Sequence, residues 1–147
     1  MNPFKMPPFW FLLATLSQFG IAWASALPAY SLFRVAAGYG LIVVGVALVL
    51  GTWVSFRKWQ TPICPFTEPT HLITDGLFRY SRNPLYLGEV VMLIGLSALH
   101  GNWATLIPVL VFFVVIQIVF VRPEEKTLLA EYGDSFEDYR KKVRAWI

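Results

Sequence analysis

"GLFRYSRNPLYLGE" spans residues 76–89. Two arginines and an Asn-Pro break lead straight into an apolar stretch that carries a glutamate. Pro84 lacks a backbone N–H and suits the first turn of a helix. Asn83 before it is a candidate N-cap. The chain therefore enters a helix at Pro84, with Arg79 and Arg82 at its threshold. Glu89 lies just over one turn inside, where a carboxylate is costly unless it is paired or faces a wet cavity.

Outward from this point the sequence is apolar. Hydrophobic residues make up 56% of the 147 residues, and mean hydropathy is +0.58. That is too apolar for an ordinary soluble domain, and the length allows a single domain over 1–147. The spacing predicts an all-α integral membrane protein. Its four transmembrane helices fall at about 9–27, 35–56, 85–99 and 103–121, since about 20 apolar residues cross a bilayer. His100-Gly101-Asn102 reads as a tight turn, so the last two spans form a hairpin. Lys5, an apolar core and "ASA" at 24–26 also fit a cleaved signal peptide; the reading taken is a retained span.

Charge placement sets the topology. With four spans, both termini share a side. That side holds every Lys and Arg except Arg34, so it is cytoplasmic. Nucleic acid is a poor partner, because the basic residues flank apolar spans and form no single basic face. The one cysteine, Cys64, excludes an internal disulfide, and with His71 and His100 it is too little for a structural zinc site. No metal is expected.

Two cytoplasmic segments remain. Residues 57–83 hold turn residues and prolines and read as a loop. Leu128, Leu129, Tyr132, Phe136, Tyr139 and Val143 recur at helical spacing, which predicts an amphipathic C-terminal helix over 123–143. Pro123, Glu124 and Glu125 look like its first turn, where carboxylates suit the helix dipole. The mouth of the hairpin then gathers Arg82, Asn83, Tyr86, Glu89, Arg122, Glu124 and Glu125. A mixed-charge pocket beside lipid is a credible binding site.

The pattern "LITDGLFRYSRNPLYLGE" at 72–89, a hairpin, then "EEKTLLAEYGDSFEDYRKKV" at 124–143 resembles the integral-membrane methyltransferases of the isoprenylcysteine carboxyl methyltransferase and phospholipid methyltransferase group. The upstream "RKWQTPICPFTEPTHL" at 57–72 resembles the loop of short bacterial members. The resemblance implies S-adenosylmethionine as cofactor. It assigns Thr70, His71, Leu72, Ile73, Phe78, Asn83, Pro84, Leu85, Tyr86 and Glu124 to cofactor binding. One departure stands out. Where the carboxyl methyltransferases carry an arginine associated with substrate, this chain has Phe120. Arg122 is nearby but about 200° away around a helix. Phe120 and Arg122 are therefore the candidate substrate residues.

Glu89, Glu125 and Arg82 are the candidate catalytic groups. A carboxylate acceptor needs a cation to position it, and an amine acceptor needs a base to take its proton. The expected function is methyl transfer at the bilayer to a hydrophobic or lipid-like acceptor, isoprenylcysteine carboxyl O-methyltransferase-like. The alternative is a phospholipid (phosphatidylethanolamine-type) N-methyltransferase. A reading of another class is a non-enzymatic accessory membrane protein whose polar residues only anchor helices.

Overall fold

The computed structural model describes residues 6–25, 31–61 and 71–147. Helix α1 is Pro7–Trp23, opened by prolines at its first positions. Helix α2 is Leu32–Lys58; the Ser31 side chain accepts from Arg34 N–H at its start, and Arg57 and Lys58 occupy its last turn. Helix α3 is Pro84–His100 and ends on Gly101, whose φ of 66° closes it in the left-handed region. Asn102 then caps a short 3-10 turn at Trp103–Thr105, so the expected tight turn is present. Helix α4 is Leu106–Val115, followed by a π-helical turn at Ile116–Val121. Helices α5 (Arg122–Tyr132) and α6 (Asp134–Lys142) complete the chain. Among the described residues there is no strand.

Several boundaries differ from the sequence reading. Pro123, Glu124 and Glu125 do lie in the first turn of α5, yet no capping residue stands outside it. Val121 and Arg122 are both right-handed helical, and one helical run extends over Trp103–Tyr132. A proline inside a helix removes one hydrogen bond and crowds the carbonyl four residues back. The π turn just before Pro123 is the kind of wide turn that relieves such crowding. The C-terminal amphipathic segment is two helices, because Gly133 at φ 48° breaks it. Asn83 holds the N-cap position of α3 but makes no side-chain cap. The 57–83 loop contains a 3-10 turn, Gly76–Arg79.

Helix α3 is the centre. It packs on α2, α1 and α4, and α1 also touches α4. The contact with α2 is made backbone to backbone. A Cβ on Gly88 would stand 2.7 Å from the Gly45 carbonyl oxygen, and one on Gly95 would stand 2.8 Å from that of Gly38. The contact between α1 and α3 is polar instead. Gln18, fully buried, donates to the Leu93 carbonyl at 2.9 Å, Ser97 Oγ at 2.8 Å and the Thr105 carbonyl at 3.1 Å.

Two helical runs are long and apolar enough to cross a bilayer, Leu32–Lys58 and Trp103–Tyr132; Pro84–His100 is a shorter apolar helix. Large apolar side chains such as Val43, Leu110, Val114 and Ile118 are exposed along the bundle, a continuous surface that suits hydrocarbon. At one end, α6 folds back and buries Phe136 and Tyr139 against Ile73 and Phe78.

Gly88→Ala should destabilise the protein by about 1–3 kcal/mol, because the added methyl meets backbone that cannot move aside cheaply. Gly20→Ala, with nothing within 4 Å of the new atom, should not. Thermal melting of both variants in detergent measures the difference.

Candidate functional site

The entry to α3, the π turn and the start of α5 meet at the end of the bundle closed by α6. Pro84 sets the first turn of α3, so Tyr86 and Glu89 fall on its inner face, and both are buried. Phe120 comes from the π turn and is 1% exposed. Its ring centroid lies 6.5 Å from that of Tyr86. One turn further on, Glu124 is half-buried, and it and Glu89 both lie within electrostatic reach of the Tyr86 phenol. Tyr86, Glu89, Phe120 and Glu124 thus form one cluster of two carboxylates and two rings.

Glu89 is 9% exposed, and its Oε2 has no hydrogen-bond partner among the described residues. Burying such a group without a counter-charge is expensive. Arg82 and Arg122, the cations expected in the same mouth, do not pair with it. Arg82 donates through Nε to Glu125 Oε1 at 2.9 Å, also reaches it through Nη2, and spends Nη1 on the Arg140 and Val143 carbonyls. Arg122 is exposed, two residues from the buried Phe120 and so on the other side of the helix.

Arg82 and Glu125 therefore form a tie between the α3 entry, α5 and the chain after α6. Tyr139 reinforces it by donating to the Phe78 carbonyl at 2.6 Å. Burial pushes the Tyr139 phenol above its ordinary range, and Arg82 pulls it partly back; it stays a neutral donor at any physiological pH.

The remaining candidates sit apart from the cluster. Phe78 is buried edge-on to Phe56, with ring centroids 5.8 Å apart. Ile73 and half-buried Leu72 pack with it under α6. His71 is exposed, its ring 5.9 Å from that of Trp59. Thr70 and Cys64 lie outside the described residues. Asn83 is buried beside the cluster, its Nδ2 donating to the Ala145 carbonyl at 2.9 Å. Among the described residues, no group of three or more His, Cys, Asp or Glu is placed to hold a metal ion.

Sequence reasoning missed three contributors. Ala145 acts through its carbonyl and leaves no side-chain signal. Trp146 donates to Gln117 Oε1 at 2.7 Å, far along the chain. The π turn had one signal, Pro123 close behind a long, mostly apolar run.

Comparison with known proteins bears on this geometry. Residues 33–135 match the model of the family described as phospholipid methyltransferase. The chain belongs to that family. It is also 38% identical over 79 residues to the protein-S-isoprenylcysteine O-methyltransferase of Schizosaccharomyces pombe, covering 52% of this chain and 32% of the relative. The chain thus spans about a third of that relative's length. An uncharacterized protein of Haemophilus influenzae is 30% identical over 63 residues, 43% of this chain and all of the relative. No solved structure matches.

The residues present fit the cationic methyl donor that the resemblance implies. Glu89 keeps an unpartnered buried oxygen, Glu124 adds a second carboxylate, and Tyr86 and Phe120 supply ring surface beside them.

Arg82→Gln should cost about 1.5–3 kcal/mol, the range for a hydrogen-bonded charge removed from a partly buried site. Arg122→Gln, at the exposed surface, should stay within about 0.5 kcal/mol of the parent. Equal melting points for the two variants would remove the tie from the account of stability.

Proposed function

We propose that the chain is an integral-membrane methyltransferase with four spans and both termini in the cytoplasm. It takes a methyl group from S-adenosylmethionine and passes it to a hydrophobic, lipid-like acceptor. Glu89 carries this reading: a buried carboxylate with an oxygen unpartnered among the described residues, beside Tyr86, which Glu124 also approaches. Such a site awaits positive charge. The distribution of Lys and Arg supports the topology. Lys5, Arg57, Lys58, Arg79, Arg82, Arg122, Lys126, Arg140, Lys141, Lys142 and Arg144 fall at one end of a four-span bundle and Arg34 at the other. Helix α3, with 17 residues, is about 25 Å long at 1.5 Å per residue. It spans a core of about 30 Å only with its polar entry drawn to the interface.

When bound, S-adenosylmethionine supplies a methyl group on a positively charged sulfur, open to in-line displacement. Glu124 holds the donor's ammonium through a charge-assisted hydrogen bond. Tyr86 and Phe120 wall the pocket and keep water from it. Arg82 and Glu125 hold the entry of α3 against α5, which fixes Tyr86 and Glu89 relative to Glu124. The acceptor enters sideways from the bilayer, between apolar helix faces.

Two acceptor classes fit. The name of the Schizosaccharomyces pombe relative points to a prenylcysteine carboxylate, which needs a cation to position it. The charge of the pocket favours the second class, an amine of the phosphatidylethanolamine type. Arg82 is engaged with Glu125, Arg122 lies on the outer side, and Phe120 fills the inner position. Glu89 is placed to receive the proton that an amine must lose before it attacks.

Glu124→Gln should weaken S-adenosylmethionine binding by about tenfold to a hundredfold, equivalent to roughly 1.5–3 kcal/mol, with an unchanged melting point. An unchanged dissociation constant in the folded variant would take Glu124 out of the site. No donor binding by the parent protein in detergent would favour the accessory-protein reading. Labelled methyl transfer into a lipid extract separates the acceptors. N-methylated lipid that disappears in Glu89→Gln supports the amine, and a base-labile methyl ester supports the carboxylate.

A further inference from the structure

The residues after α6 return to the site. The backbone becomes extended at Val143, with φ −123° and ψ 131°. The Arg144 carbonyl accepts from Arg82 N–H at 3.0 Å. The Ala145 carbonyl accepts from Asn83 Nδ2 at 2.9 Å and from Ser81 Oγ at 3.3 Å. Trp146 follows. Its Nε1 donates to Gln117 Oε1 in the π turn, and its ring stacks at a tilt on Phe113, 4.6 Å between centroids. It packs against the buried cluster that contains Tyr86 and Phe120. A strap of a few residues thus joins the entry of α3 to the π turn, the two elements that carry the site.

We propose that Trp146, through this strap, is a positioning residue for donor binding: it fixes the Asn83 amide so that Oδ1 is offered as an acceptor to an N–H or O–H of the donor's nucleoside. A side-chain amide has two orientations that exchange its oxygen and nitrogen. Only one places Nδ2 on the Ala145 carbonyl; the other sets two acceptors against each other. The carbonyl therefore selects the orientation. Its own position is held on one side by Arg144 on Arg82 and on the other by Trp146 on Phe113 and Gln117. The rest of Asn83 is committed as well. Its N–H donates to Ser81 Oγ, and its carbonyl accepts from Leu87 N–H. Oδ1 alone of its polar atoms has no partner among the described residues. Asn83 is 8% exposed, and Oδ1 is not among the buried unpartnered atoms, so this oxygen is open to a donor group of a ligand. The nucleoside of S-adenosylmethionine carries such groups in its amine and hydroxyls. This inference rests on the methyl-donor reading above.

A double-mutant cycle on the full chain in detergent tests it. S-adenosylmethionine binding is measured by calorimetry for the parent, Trp146→Ala, Asn83→Ala and the double variant, with melting points beside them. Each single substitution should weaken binding about threefold to tenfold, the size of one lost hydrogen bond. The double variant should bind no more weakly than Asn83→Ala, because the strap acts through that amide. Parent-like binding by Trp146→Ala, or losses that add in the double variant, overturns the proposal. If Trp146→Ala does not fold, Gln117→Leu releases the indole N–H alone and is read by the same cycle, with a smaller loss expected. A parent that fails to bind the donor overturns the functional reading and this inference together. A parent that binds, with a Trp146→Ala that binds equally, overturns this inference alone.

Discussion

Two glycine-to-carbonyl contacts between α2 and α3 set the frame for everything else. Gly38, Gly45 and Thr52 are the buried residues of α2 and recur every seven residues. Gly88 and Gly95 recur at the same interval on α3. The helices run antiparallel, Gly45 against Gly88 and Gly38 against Gly95, with no room for a Cβ. In lipid, burying apolar surface between helices gains little, because the chains are as apolar as the side chains. Close van der Waals contact over the backbone provides the attraction instead. A slip of either helix would drive side chains into the other's carbonyls, so the contact fixes depth as well as angle. Leu77, just before α3, is held against α2 at Gly51. The level at which α3 begins follows, and with it the position of Asn83, Tyr86 and Glu89.

Polar groups inside this apolar frame divide into two kinds. Gln18 is neutral, and its amide nitrogen is saturated by acceptors from α3 and the following turn; Ser97 Oγ adds a bond to the Thr105 carbonyl at 3.0 Å. The knot binds α1, α3 and the hairpin turn, although Gln18 Oε1, like Glu89 Oε2, is buried without a partner among the described residues. Glu89 is different. It is ionisable, its unpartnered oxygen belongs to a carboxyl group, and it lies beside the Tyr86 phenol. A purely structural role would call for a cation or for several N–H donors around it. Arg82 is within a few residues and yet is turned towards Glu125. The fold thus uses its best-placed guanidinium to hold α3 to α5 and leaves the Glu89 carboxyl without a cation beside it.

Much of this was legible from residue spacing. Apolar runs bounded by Pro, Gly and charge marked where α1 to α4 lie, whereas the last helical run continues past 121 to Tyr132. Asn83-Pro84 and Gly101 marked the ends of α3, because an imino ring and a left-handed residue leave the chain few options. The mouth cluster of Tyr86, Glu89 and Glu124 was legible too, once the two helices were paired. Arg82 and Glu125 were placed in the same mouth, but their tie depends on side-chain directions that spacing does not carry. The cap at Asn83 was misread for a related reason. An amide that can cap its own helix was taken by a carbonyl 62 residues away. Backbone groups such as the Ala145 carbonyl carry no residue-type signal at all, so the strap was invisible.

The π turn explains why Glu124 reaches the site despite lying beyond the apolar run. If the chain had broken at Pro123 and started a fresh helix, Glu124 would sit on a separate element, free to move against α4. A proline is accommodated in a continuous helix only where the carbonyl four residues back has space. The wide turn at Ile116–Val121 lies where that space is needed, because the carbonyl in question belongs to Val119. The helix then continues to Tyr132 without a cap. Phe120 and Glu124 stay on one side of a single rod, four residues apart, while Arg122 between them points away. The cluster therefore receives a ring and a carboxylate from this rod, while Arg122 stays exposed. A wide turn of backbone ahead of a proline thus keeps Glu124 on the same rod as Phe120.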